Sequence, residues 1–196
     1  GVEALITAFA KHNKGVITKN FEVDGIYFEN NTWRVTAKNK TRTYKHIVST
    51  IPIFDLFKRL KNIKVPEEVL KSLDSLEYRS LITVMLGLDT PYLNDYTAIY
   101  LPDQDLFPHR VSFPPTLSPL IIPKKQFSVM AEITVPKNGS YLKMDDEEIY
   151  KNVIEGLTKR DIIKPDSVIY KRIEVLKYAY PVYSLNYMKD MKIIKD

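Results

Sequence analysis

The chain has 196 residues, enough for one large domain or two small ones with a buried core. It is 44% hydrophobic and 27% charged with a net charge of +5, and it has no cysteine, which excludes disulfides, zinc–thiolate sites, iron–sulfur clusters and cysteine nucleophiles. No apolar run approaches the roughly 18–20 residues of a membrane span. The basic excess is spread without a nucleic-acid-binding motif, so a solvated lysine-rich surface and no nucleic-acid partner are expected.

Residues 3–12 place Leu5, Ile6, Phe9 and Ala10 at helical spacing, and Gly15 stands where such a helix stops. This opening lacks the charged lead and small-residue cleavage site of a secretory signal. With no initiator methionine it reads as a helix entered in mid-protein, and a cytoplasmic location accompanies the lack of cysteine. A β-meander is expected over 16–49, from alternating segments at 15–26 and 32–38 with Asn30 and Asn31 as the turn. Residues 45–52 read as a buried strand that stops at Pro52. Residues 53–60 predict a short helix with Phe54, Phe57 and Leu60 on one face. Pro66, Glu67 and Glu68 open another that runs to about Leu73.

The second half is mostly strand. Residues 81–88 are apolar enough to be buried on both faces, and 97–101, 110–113 and 127–135 are further strands between proline-rich connectors. The clearest helix spans 145–157: four acidic residues stand at its positive end, and Ile149, Tyr150, Val153, Ile154 and Leu157 form one stripe. A strand over 167–176 and a polar helix from Tyr187 close the chain. This order predicts an α+β fold, a β-meander plus a mixed, largely antiparallel sheet with helices packed on one face.

Little free-standing chemistry is legible. His12, His46 and His109 are too far apart for a metal motif, so no metal is expected. Ser112 and Ser128 lack a nucleophile elbow. Asp103 and Asp105 hint at a calcium loop without the remaining ligands. Glu132 lies in an apolar run; facing inward it needs an arginine partner, and facing solvent it needs nothing, which is the simpler reading.

Five segments taken in order say more. They are Val23, Asp24, Gly25 and Ile26; the run 47–52; the segments 76–81 and 107–113; and the tyrosine-rich 178–183. This succession resembles the middle of FAD-dependent oxidoreductases of the amine oxidase, protoporphyrinogen oxidase and UDP-galactopyranose mutase group. By local pattern alone the first two pieces read more simply as an ordinary meander with a proline stop; the order of residues 1–5, 23–26 and 47–52 carries the resemblance.

The resemblance implies that residues 1–5 end a glycine-plus-helix segment and that Val23 gives its backbone to adenine. It implies that Ser49, Thr50 and Pro52 lie beside the cofactor. Arg79, His109, Arg110, Tyr180 and Tyr183 become candidate substrate-binding residues: a guanidinium fork can hold a phosphate bidentately, and tyrosines can line an aromatic cleft. Implied domains are 1–60 from the FAD-binding domain, 61–177 as the substrate domain, and 178–196 returning toward a closing flavin motif. Two family features are missing. The glycines, at 1, 15, 25, 87, 139 and 156, are isolated and form no GxGxxG fingerprint, and the closing glycine motif is absent. The chain therefore reads as the interior of a longer flavoenzyme acting on a small-molecule substrate, inactive alone and holding FAD only in the parent protein. The flavin does the redox chemistry, so no catalytic side chain is named. A sugar-nucleotide mutase segment and a non-catalytic basic binding module are the alternatives.

Overall fold

The computed structural model describes residues 2–91 and 93–196; Gly1, part of the glycine-plus-helix expectation, lies outside the described residues. The chain forms two compact units, one made of the residues up to Ser75 with Met188–Asp196, the other of Leu76–Tyr187. The architecture is α+β, as expected. No helix of the described residues is long and apolar enough to cross a membrane.

The first unit opens with helix α1 (Val2–His12), which ends as Gly15 takes φ 97°, a conformation costly for any residue with a Cβ. A three-stranded antiparallel sheet follows, β1 (Gly25–Glu29), β2 (Thr32–Ala37) and β3 (Lys40–Tyr44) in that order. Asn30 and Asn31 have φ of 49° and 57°, the positive pair that a two-residue hairpin turn requires, and so pin Glu29 opposite Thr32. Its small core is Ile26, Val35 and Ala37. Gly25 has no room for a side chain, because a Cβ would stand 2.6 Å from the Thr36 hydroxyl and 2.8 Å from the Tyr27 ring. Helices α2 (Ile53–Arg59) and α3 (Glu67–Ser75) sit where the sequence puts them. Near the C-terminus α6 (Tyr187–Lys195) returns to this unit, where Asp190 accepts the Ser75 hydroxyl at 2.6 Å.

Two expectations for this unit are corrected. The strand pattern from residue 15 becomes a strand only at Gly25; a turn occupies 13–16 and Asn20 adopts φ 55°. Residues 45–52 are not a buried strand but mostly exposed coil, with Val48 91% exposed. An apolar run becomes a strand only beside another backbone, and among the described residues no strand pairs with this one.

The second unit is a five-stranded antiparallel sheet in the order β5 (Ala98–Tyr100), β6 (Arg110–Ser112), β7 (Phe127–Pro136), β4 (Glu77–Leu88), β8 (Val168–Val182). The pleat sends alternate residues to opposite faces. One face carries Ile82, Val84, Leu86 and Leu88 of β4 with Val129, Ala131, Ile133 and Val135 of β7. The stripe Ile149, Tyr150, Val153 and Leu157 of helix α5 (Asp146–Lys159) completes that core. Asp145 caps α5, its carboxylate accepting the Glu148 N–H at 2.8 Å. A short helix, α4 (Pro114–Leu117), lies in the β6–β7 connector. β8 runs six residues past its expected end, through Pro181 to Val182. It is an edge strand, where a residue without an N–H interrupts no ladder on its outer side.

Candidate functional site

The second face of the five-stranded sheet carries a polar row. The registers place Tyr100 opposite Arg110, Arg110 opposite Glu132, Glu132 opposite Thr83, and Thr83 opposite Glu174. One residue from each strand thus lines up in a row across the whole sheet. The neighbouring row is Ala98, Ser112, Met130, Met85 and Arg172.

Glu132 is the anchor of this face. It is 3% exposed and meets the Arg110 guanidinium at 3.3 Å. Of the two orientations open in the sequence, the inward one holds, and the arginine it needs is present. A buried carboxylate without such a partner would carry a desolvation penalty of several kcal/mol, on the order of ~3–5 if the pair were broken. The Nε and Nη2 groups of Arg110 reach the Ser112 hydroxyl at 3.3 and 3.2 Å, and its guanidinium lies 5.9 Å from the Tyr100 ring centroid. His109, one residue before β6, has its ring 3.3 Å from the Thr134 hydroxyl, while its backbone N–H donates to the Glu132 carbonyl at 2.9 Å. His109 and Arg110 are therefore brought together on one polar patch. Further along, Arg172 pairs with Glu174.

The other substrate candidates stand apart from it. Arg79 lies on the same face of β4 as Thr83, four residues and about 13 Å along the strand. It is half-buried, faces Tyr180 across β8, and has no ion pair among the described residues. Tyr180 is partly exposed on the edge strand. Tyr183 lies beyond the end of β8, largely exposed, with its ring edge-on to Tyr187 at 4.8 Å. The two acids of the suspected calcium loop are engaged otherwise: Asp103 binds Arg160 at 2.9 Å, and Asp105 binds Lys159 at 2.7 Å. The lysine's hydrogen bond is the chief reason the Asp105 carboxyl is held below its usual range.

In the first unit, Val23 precedes β1 and is half-buried. Its carbonyl accepts the Arg59 Nε at 2.7 Å, and the same guanidinium donates to the Asp55 carbonyl at 2.8 Å. The end of α2 is thereby tied to the candidate adenine contact. Ser49, Thr50 and Pro52 are exposed and lead into the start of α2. They and Val23 are linked through this helix; no direct hydrogen bond joins them among the described residues. Asp24, next to Val23, accepts the Thr36 hydroxyl and, at 2.6 Å, the Lys38 N–H. The first of these bonds, then the second, lowers its pKa.

Val23, Ser49, Thr50 and Pro52 combine a half-buried backbone with small, exposed side chains. They do not supply a pyrophosphate cradle, since among the described residues no glycine opens an α-helix. Three participants were not singled out from sequence: Arg59, Tyr100 and Thr134. Arg59 closes the last turn of a short helix, and nothing in its spacing points 36 residues back. Tyr100 and Thr134 join the patch only through strand register.

Comparison with known proteins gives three results. The family described as flavin containing amine oxidoreductase matches residues 1–188. No curated protein matches the chain. Among solved structures, reduced UDP-galactopyranose mutase superposes with a TM-score of 0.77 at 17% identity, over 90% of this chain and 38% of that one. Putrescine oxidase bound to putrescine gives 0.72 at 13% identity, over 96% and 43%. An Exiguobacterium sp. protein assigned as a protoporphyrinogen oxidase gives 0.69 at 16%, over 88% and 37%. The chain thus spans about two-fifths of the length of these structures, and at such identities the likeness is one of fold.

Proposed function

The chain belongs to the flavin-containing amine oxidoreductase family, and from that premise we propose that it is a segment of an FAD-dependent oxidoreductase acting on a small molecule. In this reading residues 1–60 come from the FAD-binding domain, 61–177 form the substrate domain, and 178–196 lead back toward the flavin. Val23, Ser49, Thr50 and Pro52 hold the adenosine side of the cofactor, in a protein long enough to supply the pyrophosphate cradle. When bound in the full-length protein, FAD would supply the redox chemistry as a hydride acceptor for a C–H next to nitrogen or another activating group. The segment by itself is inactive. A cytoplasmic site of action is the companion reading, supported by the absence of cysteine in 196 residues.

The observation that carries the substrate-domain reading is the polar row over the buried Glu132. A sheet face meant only for packing has no use for a buried carboxylate, whose desolvation must be offset by a dedicated arginine. A face meant to orient a polar substrate does. Arg110, held by Glu132 and Ser112, presents directed donors on a locked side chain, with His109 and Tyr100 beside it. Because the pair is charge-balanced, it orients a substrate without adding net positive charge, which suits an amine or another neutral polar molecule better than a diphosphate. Arg79 supports the second reading, a sugar-nucleotide mutase, since its guanidinium has no competing carboxylate among the described residues. Tyr180 and Tyr183 then line the same side of the substrate.

The test is to express the full-length protein and record its absorption spectrum. Oxidised flavin should co-purify, and an amine substrate should bleach it anaerobically. Perturbation of the reduced flavin by UDP-galactose would favour the mutase instead. A colourless full-length protein that takes up no added FAD would overturn both readings. The 196-residue chain alone should purify colourless and turn over nothing, for want of the charge-assisted bonds of a pyrophosphate cradle, each worth about 1.5–3 kcal/mol.

A further inference from the structure

The β6–β7 connector of the second unit has a composition that substrate binding does not use. Residues 111–131 contain no acidic side chain, and their only charges are Lys124 and Lys125. Just before the lysines the connector turns its largest aliphatic groups outward: Leu117 is 74% exposed, Leu120 96% and Ile121 53%. Isolated exposed leucines are ordinary, but three on one short loop, followed at once by paired lysines, form a patch.

The loop is built to hold that patch still. Phe113 at its start and Phe127 at its end are buried in the core, and Pro115 is buried between them. Four prolines, at 114, 115, 119 and 123, fix the backbone and carry no N–H. Of the remaining donors, the N–H groups of Thr116, Ser118, Ile121 and Gln126 are satisfied inside the loop, by the carbonyls of Phe113, Pro114, Ser118 and Pro123. The Thr116 hydroxyl also turns inward to the Phe113 carbonyl at 2.8 Å. The buried ends and the four prolines together hold Leu117, Leu120 and Ile121 on a fixed loop. The hollow beside it, lined in part by Pro91, Asn94, Asp95, Leu120, Lys124 and Lys125, sets two lysines against one aspartate.

We propose that residues 117–125 dock on an anionic lipid surface, with Leu117, Leu120 and Ile121 entering the interface and Lys124 and Lys125 pairing with acidic headgroups. Charge complementarity selects this partner: an acid-free apolar tip with a dibasic collar matches the negatively charged cytoplasmic face of a membrane. The attachment is peripheral, because the apolar tip is a few residues long where a spanning helix needs about 20.

The test uses the full-length protein with phosphatidylcholine vesicles prepared with and without phosphatidylserine. Co-sedimentation is expected with the serine lipid, weakening as salt rises. Leu120→Asp with Ile121→Asp should lower the partition coefficient about tenfold or more. Lys124→Gln with Lys125→Gln should abolish the dependence on serine lipid. Thermal midpoints should stay unchanged in all of these, since the substituted side chains lie outside the core. A Leu120→Trp variant gives a second readout, its emission shifting to the blue on adding serine-lipid vesicles. Three results would overturn the proposal: no partition into serine-lipid vesicles, partition indifferent to the aspartate substitutions, or Leu120→Trp emission already blue in vesicle-free buffer. The last would mean that the loop is covered by the protein's own chain or by a second copy.

Discussion

Glu132 and Arg110 are register partners on adjacent strands, and the carboxylate that meets the guanidinium at 3.3 Å is almost wholly withdrawn from water. Removing the arginine leaves a buried charge without compensation. Arg110→Ala should therefore destabilise the second unit by about 3 kcal/mol, read as a shift of the urea midpoint at constant slope. Glu132→Gln should cost less, because the amide can still accept one bond. The double variant Arg110→Met, Glu132→Leu should recover much of the loss, giving a coupling energy above about 1 kcal/mol. Additive single effects would show that the pair does not interact in solution.

Arg79 should behave in the opposite way. With no ion pair among the described residues, Arg79→Ala should change stability by no more than about 0.5 kcal/mol. In the full-length flavoprotein it should weaken binding of an anionic substrate about tenfold or more, followed as a perturbation of the flavin spectrum. Arg79→Lys should restore only part of that loss, since an ammonium cannot reproduce a planar fork. Unchanged anion affinity in Arg79→Ala would remove this residue from the binding surface.

Arg59 joins the end of α2 to the Val23 carbonyl. Arg59→Ala deletes a charge-assisted bond at 2.7 Å and should destabilise the first unit by about 1.5–3 kcal/mol. If Val23 contacts adenine, the same variant of the full-length protein should also release FAD more readily on dialysis. Loss of stability with flavin retention intact would confine Arg59 to a structural role.

Asp24 gives a pH signature. Bonds from the Thr36 hydroxyl and then the Lys38 N–H lower its pKa in the folded state. A depressed carboxyl contributes stability that is full above the ordinary aspartate range, near 3.9, and lost as pH falls through the lower folded value. Asp24→Asn should thus be less stable than the parent chain at neutral pH. The difference should shrink in the acid limb until the two chains coincide. Emission of Trp33 on the neighbouring β2 can follow both transitions.

Features set by near neighbours in sequence were legible in advance. The Asn30–Asn31 turn, the acidic start and apolar stripe of α5, and the doubly buried run of β4 all follow from spacings of a few residues. Features set by pairing were not. Residues 45–52 carry a strand's composition without a partner backbone. The inward turn of Glu132 depends on Arg110, 22 positions earlier, and on the register of a three-residue strand. The polar row itself joins positions from 83 to 174, so its members become neighbours only when all five strands are in place.

The outermost strand, β8, has a consequence for how the molecule survives in concentrated solution. Fifteen residues long, it shows Ile169, Tyr170, Val175 and Leu176 to solvent along an unshared row of peptide groups, a template on which a second chain could add itself. Lys171, Arg172, Glu174 and Lys177 interrupt that row with charge, and Pro181 removes one of its donors. Colloidal behaviour thus hangs on a handful of edge side chains, and exchanging Lys171 and Lys177 for neutral residues should leave the fold intact while promoting chain-to-chain association.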